Sequence, residues 1–173
     1  MNNWKNIWKS RSMTITNESV LSKLISADGF DTGYGTICEE DWRDYTKYIE
    51  RKLSLNNTFS LFEVGCGAGA FLYGFYMNHY KVAGIDYSES LIKMANKYLN
   101  HGSFSVDEAI NLNTSEKFDY VISNSVFFYF PSYSDAEETI LSMIDKANKG
   151  IVILEVNDFN KKDFVVQIPK KKL

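Results

Sequence analysis

The stretch LFEVGCGAGAFL, residues 61–72, decides how this chain is read. An apolar run ends in Gly65, Gly67 and Gly69, and a second apolar run follows at once. A strand that breaks into glycines and re-enters as a helix leaves backbone N–H groups facing outward, so that a nucleotide can approach the main chain. One acid, Glu63, interrupts the first run two residues before Gly65. A charge in such a strand is costly to bury without a partner, so Glu63 asks for a ligand of opposite sign.

Downstream, FSLFEV reads as a strand, GAFLYGFYMN as a helix and VAGI as a strand ending at Asp86. Ser88 caps a helix over ESLIKMANKYLN, and SFSV and FDYVISN are strands. DAEETILSMIDKAN is a helix with Ser134 or Asp135 at its cap, and GIVILEV is the last strong strand. This alternation predicts an α/β fold, layered α/β/α around a mainly parallel sheet. Upstream, EEDWRDYTKYIERKL (39–53) carries Trp42, Tyr45, Ile49 and Leu53 at helical spacing. Its acids lead and its bases trail, as the helix dipole favours. ADGFDTGYGT (27–36) is rich in turn formers and reads as a loop. Trp4 and Trp8 would share a face if the start is helical. Residues 1–55 are thus expected to form a helical lead or cap over the ligand site, and residues 56–173 the ligand-binding domain, as one compact unit.

Composition narrows the partners. A net charge of -3 argues against a polyanion-binding surface, so nucleic acid is not expected. Cys38 and Cys66 have no C-x-x-C spacing and His79 and His101 are far apart, so neither a metal site nor a disulfide framework is expected. No run has the length of a membrane span or the core of a signal peptide, and the expectation is a soluble cytoplasmic protein. Aromatic residues make up 15% of the chain, enough to fill a core and line a pocket.

Gly65-x-Gly67-x-x-Ala70 also fits the dinucleotide fingerprint of NAD-dependent reductases, and Asp86 suits the ribose of either cofactor type. Three features favour a different nucleotide. Glu63 suits an ammonium group, which S-adenosyl-L-methionine carries. About a hundred residues follow the turn, too few for a separate substrate domain of the usual dehydrogenase kind. The aromatic-rich lead can close over a small cofactor.

The chain resembles class I S-adenosylmethionine-dependent methyltransferases. LFEVGCGAGAFL is similar to their first motif, VAGIDYSESLIKMA to the second, and FSVDEAINL to the stretch with an adenine-contacting acid. KFDYVISNSVFFYF resembles their fourth-strand motif and KANKGIVILEVND the fifth strand. The resemblance runs from about residue 59 to 158 and implies a Rossmann-like fold. GFDTGYGTICEEDW and SNSVFFYFP are similar to small-molecule enzymes of this class, from polysaccharide or secondary-metabolite pathways.

The resemblance implies that Glu63 anchors the methionine end, with Gly65, Cys66, Gly67 and Gly69 passing beneath it. Asp86 would hold the ribose, Tyr87 would pack on adenine, and Ser88 follows them. Of Asp107, Glu108 and Ala109, Glu108 is the preferred adenine acid. Ser123 and Asn124 would lie near the sulfonium, and Phe127 to Phe130 would line the pocket. Cys66 reads as a small buried filler. The implied reaction moves a methyl group to the oxygen or nitrogen of a small acceptor, such as a sugar or secondary metabolite, leaving S-adenosyl-L-homocysteine. No general base is assigned; Tyr34, Tyr129, His101 and Asp158 are candidates, and His101 is better read as a helix C-terminal cap.

The chain departs from the family after Asp158. KDFVVQIP can supply one strand of the family's final hairpin but not both, so part of that hairpin is expected to be missing. A second copy of the chain would then cover the open edge beside GIVILEV. A weakly active or inactive cofactor-binding module is the alternative this departure raises.

Overall fold

The computed structural model describes residues 18–30 and 37–156. Trp4, Trp8, Tyr34, Asp158 and KDFVVQIP lie outside the described residues. Helix α1 spans Val20–Ala27 and α2 spans Glu39–Lys52. Then come β1 (Ser60–Val64), α3 (Ala70–Met77), β2 (Lys81–Asp86), α4 (Glu89–Tyr98) and β3 (Ser103–Val106). β4 (Phe118–Asn124), α5 (Tyr133–Lys146) and β5 (Ala147–Leu154) complete the described elements, with short 3-10 turns at Ala109–Asn111 and Phe127–Tyr129.

The sheet has the order β3-β2-β1-β4-β5. Every neighbouring pair runs parallel. The chain winds outward from β1 in both directions, so β1 and β4 meet at a topological switch point. Ligands of such sheets bind there, beyond the carboxyl ends of the strands. This is the Rossmann-like α/β/α arrangement expected from the alternation of elements.

Side-chain alternation along the strands separates two cores. Leu61, Val82 and Ile122 face α1 to α4, where they meet Leu24, Trp42, Phe71 and Leu91. Phe62, Val64, Ile85 and Val121 face the other way, onto Met143 of α5. Glu63, Asp86 and Asn124 share the parity of the first set and so belong to the α1–α4 face. The N-terminal lead is built into that same core. Trp42 and Ile49 of α2 are buried, and the Trp42 indole N–H donates to the Ala70 carbonyl at 3.0 Å. Burying each large apolar side chain contributes about 2 kcal/mol, which holds the lead against α3.

Two capping expectations change. The N-cap of α5 is Ser132, whose Oγ accepts the Asp135 N–H at 3.1 Å. Ser134 and Asp135 fall inside the first turn, where their backbone is already helical and the cap geometry is lost. Ser88 occupies the N-cap position of α4 but makes no side-chain cap bond; its hydroxyl lies 3.0 Å from that of Ser90. The neighbouring Asp86 instead accepts the Ser88 N–H at 2.8 Å. His101 lies beyond the C-cap Leu99 of α4 and stacks on Tyr76.

Candidate functional site

A cavity of about 480 Å³ opens at the carboxyl ends of the strands. That volume is in the range of small-molecule sites. Glu63 contributes to it from β1, Asp86 from β2, and Asn124 from β4. Glu63 is only 2% exposed, and its Oε2 has no hydrogen-bond partner among the described residues. Burial, and then the negative charges of Asp28 and Asp86, hold its carboxyl well above the usual carboxylate range. A buried, unpaired acid that opens onto a cavity is costly unless something binds it.

Asp86 is also buried, but both its oxygens are engaged. One accepts the Gly67 N–H at 3.0 Å and the other the Ser88 N–H at 2.8 Å. Burial raises its pKa, and these two backbone bonds act against the rise. The glycine loop is stitched further to β2 through Gly65 and Cys66, whose N–H groups both donate to the Ile85 carbonyl. Gly65 and Gly67 have φ of +76° and +53°, a conformation other residues rarely adopt. A Cβ at Gly65 would collide with Val126, and one at Gly67 with the Asp28 carboxylate.

Asp28, at the C-cap of α1, sits over the start of α3. Its oxygens accept the Ala68 N–H at 2.6 Å and the Ala70 N–H at 3.1 Å. A carboxylate is stable there because the helix dipole and unpaired N–H groups point at it.

The lining also includes Tyr87, Leu91, Asp107 and Ala109, which follow β2 and β3, and Asn124, Ser125, Val126, Phe128, Tyr129 and Glu155, which lie at or beyond the ends of β4 and β5. Asn124 is fixed by α2, because the Tyr45 hydroxyl donates to its Oδ1 at 3.0 Å. Burial raises the Tyr45 pKa, with the charges of Glu155 and Glu63 adding to it, so the phenol stays a donor. Ser125 and Glu155 have φ of 59° and 56° at the ends of β4 and β5. Two left-handed non-glycine residues facing one cavity mark stored backbone strain, which clusters at functional sites.

Most residues singled out in the sequence meet at this cavity, but not all. Glu63, Gly65, Cys66, Gly67, Asp86, Tyr87, Asp107, Ala109, Asn124 and Tyr129 line it. Gly69, Ser88, Glu108 and Ser123 are not among the lining residues. The Ser123 hydroxyl donates to the Val64 carbonyl at 3.0 Å, which ties β4 to β1. Asp107, and not the preferred Glu108, faces the cavity, and its Oδ1 accepts the Glu108 N–H. Of the aromatic run, Phe128 and Tyr129 line the cavity, whereas Phe127 packs on the α5-side core with Phe130 against it. Cys66 is buried, which raises its thiol pKa and suits a filler. No sequence signal marks Asp28, Val126 or Glu155 as site residues, and Tyr45 is marked only as part of a helical face. ADGF showed only turn chemistry, and no spacing rule links Asp28 to a loop some forty residues on.

Chemically, the cavity combines aromatic walls with the carboxylates of Asp28, Glu63, Asp86, Asp107 and Glu155. No Lys, Arg or His is found among its described lining residues. Such a site favours a ligand with positive charge.

No curated protein matches the sequence. Solved structures share the fold. DesVI of Streptomyces venezuelae matches with a TM-score of 0.62 and 22% identity, over 72% of this chain and 54% of that one. An S-adenosylmethionine-dependent methyltransferase of Clostridium acetobutylicum matches with a TM-score of 0.62 and 20% identity, over 84% and 58%. CalS10 of Micromonospora echinaspora, an amino pentose methyltransferase solved with S-adenosylmethionine bound, gives 0.62 and 17%, over 87% and 61%. The chain thus spans 54% to 61% of the length of these three proteins. A family model described as a methyltransferase domain matches residues 55–172, and the chain belongs to that family.

Proposed function

We propose that the chain binds S-adenosyl-L-methionine in the cavity and transfers its methyl group to a small-molecule acceptor. The observation that carries this is the buried Oε2 of Glu63, which has no hydrogen-bond partner among the described residues and belongs to a residue lining the same cavity as the glycine loop. An ammonium group bound there would supply the missing partner, in a setting where charge-assisted bonds are strong. Asp86 suits a ribose. A carboxylate has about four acceptor positions, and the two backbone bonds leave room for two hydroxyls. Tyr87 and Asp107 take the adenine side, and Asn124, Phe128 and Tyr129 the acceptor side.

The bound sulfonium supplies the electrophile. The chain aligns the acceptor with it and excludes water, with Asn124 held by Tyr45 and Phe128 and Tyr129 forming the wall. Tyr129 is the base candidate that lines the cavity, while Tyr34 and Asp158 lie outside the described residues. A sugar-like or secondary-metabolite acceptor is supported by the shared fold of CalS10, an amino pentose methyltransferase. NAD is disfavoured because Asp28 already fills the loop N–H groups that a pyrophosphate would use.

No described helix is long and apolar enough to cross a membrane, and both cysteines are free thiols, which suits the cytoplasm. A second copy is proposed on the β5 side, where Leu141 and Ile144 of α5 are more than half exposed. Calorimetry with S-adenosylmethionine, S-adenosylhomocysteine and NAD tests the cofactor, and labelled-methyl transfer to a panel of amino sugars and small metabolites tests the reaction. Binding of both sulfur ligands but not NAD is expected. Binding of NAD without S-adenosylhomocysteine would overturn the reading.

A further inference from the structure

Among the described residues that line the cavity, Asn124 is the one whose side chain carries nitrogen. It is 4% exposed, and its amide oxygen accepts the Tyr45 hydroxyl at 3.0 Å. That bond fixes which end of the amide is oxygen, and its nitrogen has no hydrogen-bond partner among the described residues. Asn124 therefore holds two N–H donors ready at the end of β4, in a cavity otherwise rich in carboxylates. Glu155 stands beside it. Asn124 pairs with Leu154 in the sheet, and the Ser125 N–H donates to the Leu154 carbonyl at 3.2 Å, so the next residue of the chain, Glu155, joins the lining next to Asn124. The charge of Glu155 is felt at the Tyr45 hydroxyl. Unlike Glu63 and Asp86, Glu155 is exposed, so it carries its charge without the cost of burial, and it has no ion pair or hydrogen bond among the described residues. Phe128 and Tyr129, with ring centroids 4.3 Å apart, add an aromatic face that a cation can approach.

We infer that Asn124 and Glu155 form an acceptor subsite selective for a hydroxylated amine, with Glu155 taking the amine and the Asn124 amide an oxygen of the same molecule. This rests on the methyl-transfer reading and names the atom it left open, nitrogen and not oxygen. The arrangement fits the chemistry of an amine. The amine reacts in its neutral form, after its ammonium has lost a proton to water. Its lone pair forms the bond to the methyl carbon as the carbon–sulfur bond breaks, and the electron pair of that bond stays on sulfur. Positive charge passes from sulfur to nitrogen. A carboxylate beside the nitrogen accepts one of its N–H groups before the step and faces the charge as it arrives. The methylated ammonium gives up its proton to water afterwards. Tyr45 is a positioning residue here: it touches no substrate, but it decides that Asn124 offers N–H groups and not its oxygen.

The test is calorimetry on the full chain saturated with S-adenosylhomocysteine, using two pairs of probes that exchange an amine for a hydroxyl: glucosamine against glucose, and phenylethanolamine against phenylethanediol. The wild type should bind the amine of at least one pair roughly fivefold more tightly than its hydroxyl partner, the upper range for a solvent-reached ion pair. Glu155→Gln should abolish that preference while leaving the affinity for S-adenosylhomocysteine unchanged. Tyr45→Phe keeps the ring contacts with Trp42 and Phe71 and removes only the hydroxyl. It should weaken amine and hydroxyl probes alike, so that the preference persists, an outcome that simple loss of packing at Glu155 would not give. If S-adenosylhomocysteine binds but neither amine is preferred, or if the preference survives Glu155→Gln, the inference fails while the cofactor reading stands. If S-adenosylhomocysteine does not bind the wild type, the cofactor reading fails first and takes this one with it.

Discussion

The ends of β1 and β2 each carry a buried carboxylate facing one cavity, and the two are wired in opposite ways. Asp86, at the end of β2, has both oxygens bonded to backbone N–H groups, one on each side of the crevice between the glycine loop and α4. Glu63, within β1, has a buried oxygen with no hydrogen-bond partner among the described residues. Asp86 is therefore part of the folded framework whether or not a ligand is present. Glu63 is a cost to the ligand-free protein that a cation would remove. The same residue class thus does two jobs: one carboxylate builds the site, and the other is held in reserve for what enters it.

Removing the framework acid should have the largest effect. Asp86→Ala leaves the Gly67 and Ser88 N–H groups without their acceptor in a buried setting. Stability should fall by about 2–6 kcal/mol, from roughly 1–3 kcal/mol for each of the two buried groups left unpaired. Cofactor affinity should fall as well, by on the order of 1–3 kcal/mol for the lost ribose contacts. Urea unfolding and calorimetry read the two losses separately. Unchanged stability with reduced affinity would show that Asp86 serves only the ligand, and the contrast with Glu63 would collapse.

Glu63→Gln should move the two quantities in opposite directions. The ligand-free protein should gain stability toward alkaline pH, where the wild type must bury an unpaired charge and the variant does not. Affinity for S-adenosylmethionine should fall about tenfold, or about 1.4 kcal/mol. The pH dependence has a definite sign. Burial raises the folded-state pKa of Glu63 above its unfolded value, so the folded chain binds the proton more readily. The associated stability is fully present below the unfolded pKa and is lost as pH rises through the folded one. Wild type and variant should therefore converge in melting temperature toward acid and separate toward alkali. Parallel curves would mean that Glu63 has a partner in solution.

Much of this was legible in the chain, for physical reasons that also explain what was not. Periodicity fixed the order of strands and helices, because a parallel sheet buried on both faces leaves apolar runs between glycine and capping signals. Glu63 and Asp86 stood out because an acid at the end of a buried strand breaks that pattern. The contrast between them was not visible, since it depends on which oxygen meets which N–H in space. Asp28 was hidden for a similar reason: a turn-forming Asp and a loop-clamping Asp are the same letter, and its partners come from elements that only folding brings near. The choice between Asp107 and Glu108 was beyond sequence because adjacent residues after a strand differ only in the side to which they point. Ser123 misled by position. It ends a strand at the cavity mouth, but alternation turns its hydroxyl away from Asn124's face.

Ser123 gives the smallest and sharpest test of that last point. Its buried hydroxyl donates to the Val64 carbonyl, the last residue of β1 and one residue beyond Glu63. Ser123→Ala should cost about 1 kcal/mol of stability, the typical net value of one intramolecular hydrogen bond. The Val64 carbonyl loses that donor, and the β1–β4 seam loosens by that amount. Affinity for S-adenosylmethionine should stay within about twofold, because the hydroxyl is spent inside the sheet and not on the ligand, unlike Glu63 and Asp86. A drop in affinity with no loss of stability would reverse the assignment, and would mean that the hydroxyl leaves the Val64 carbonyl when the cavity fills.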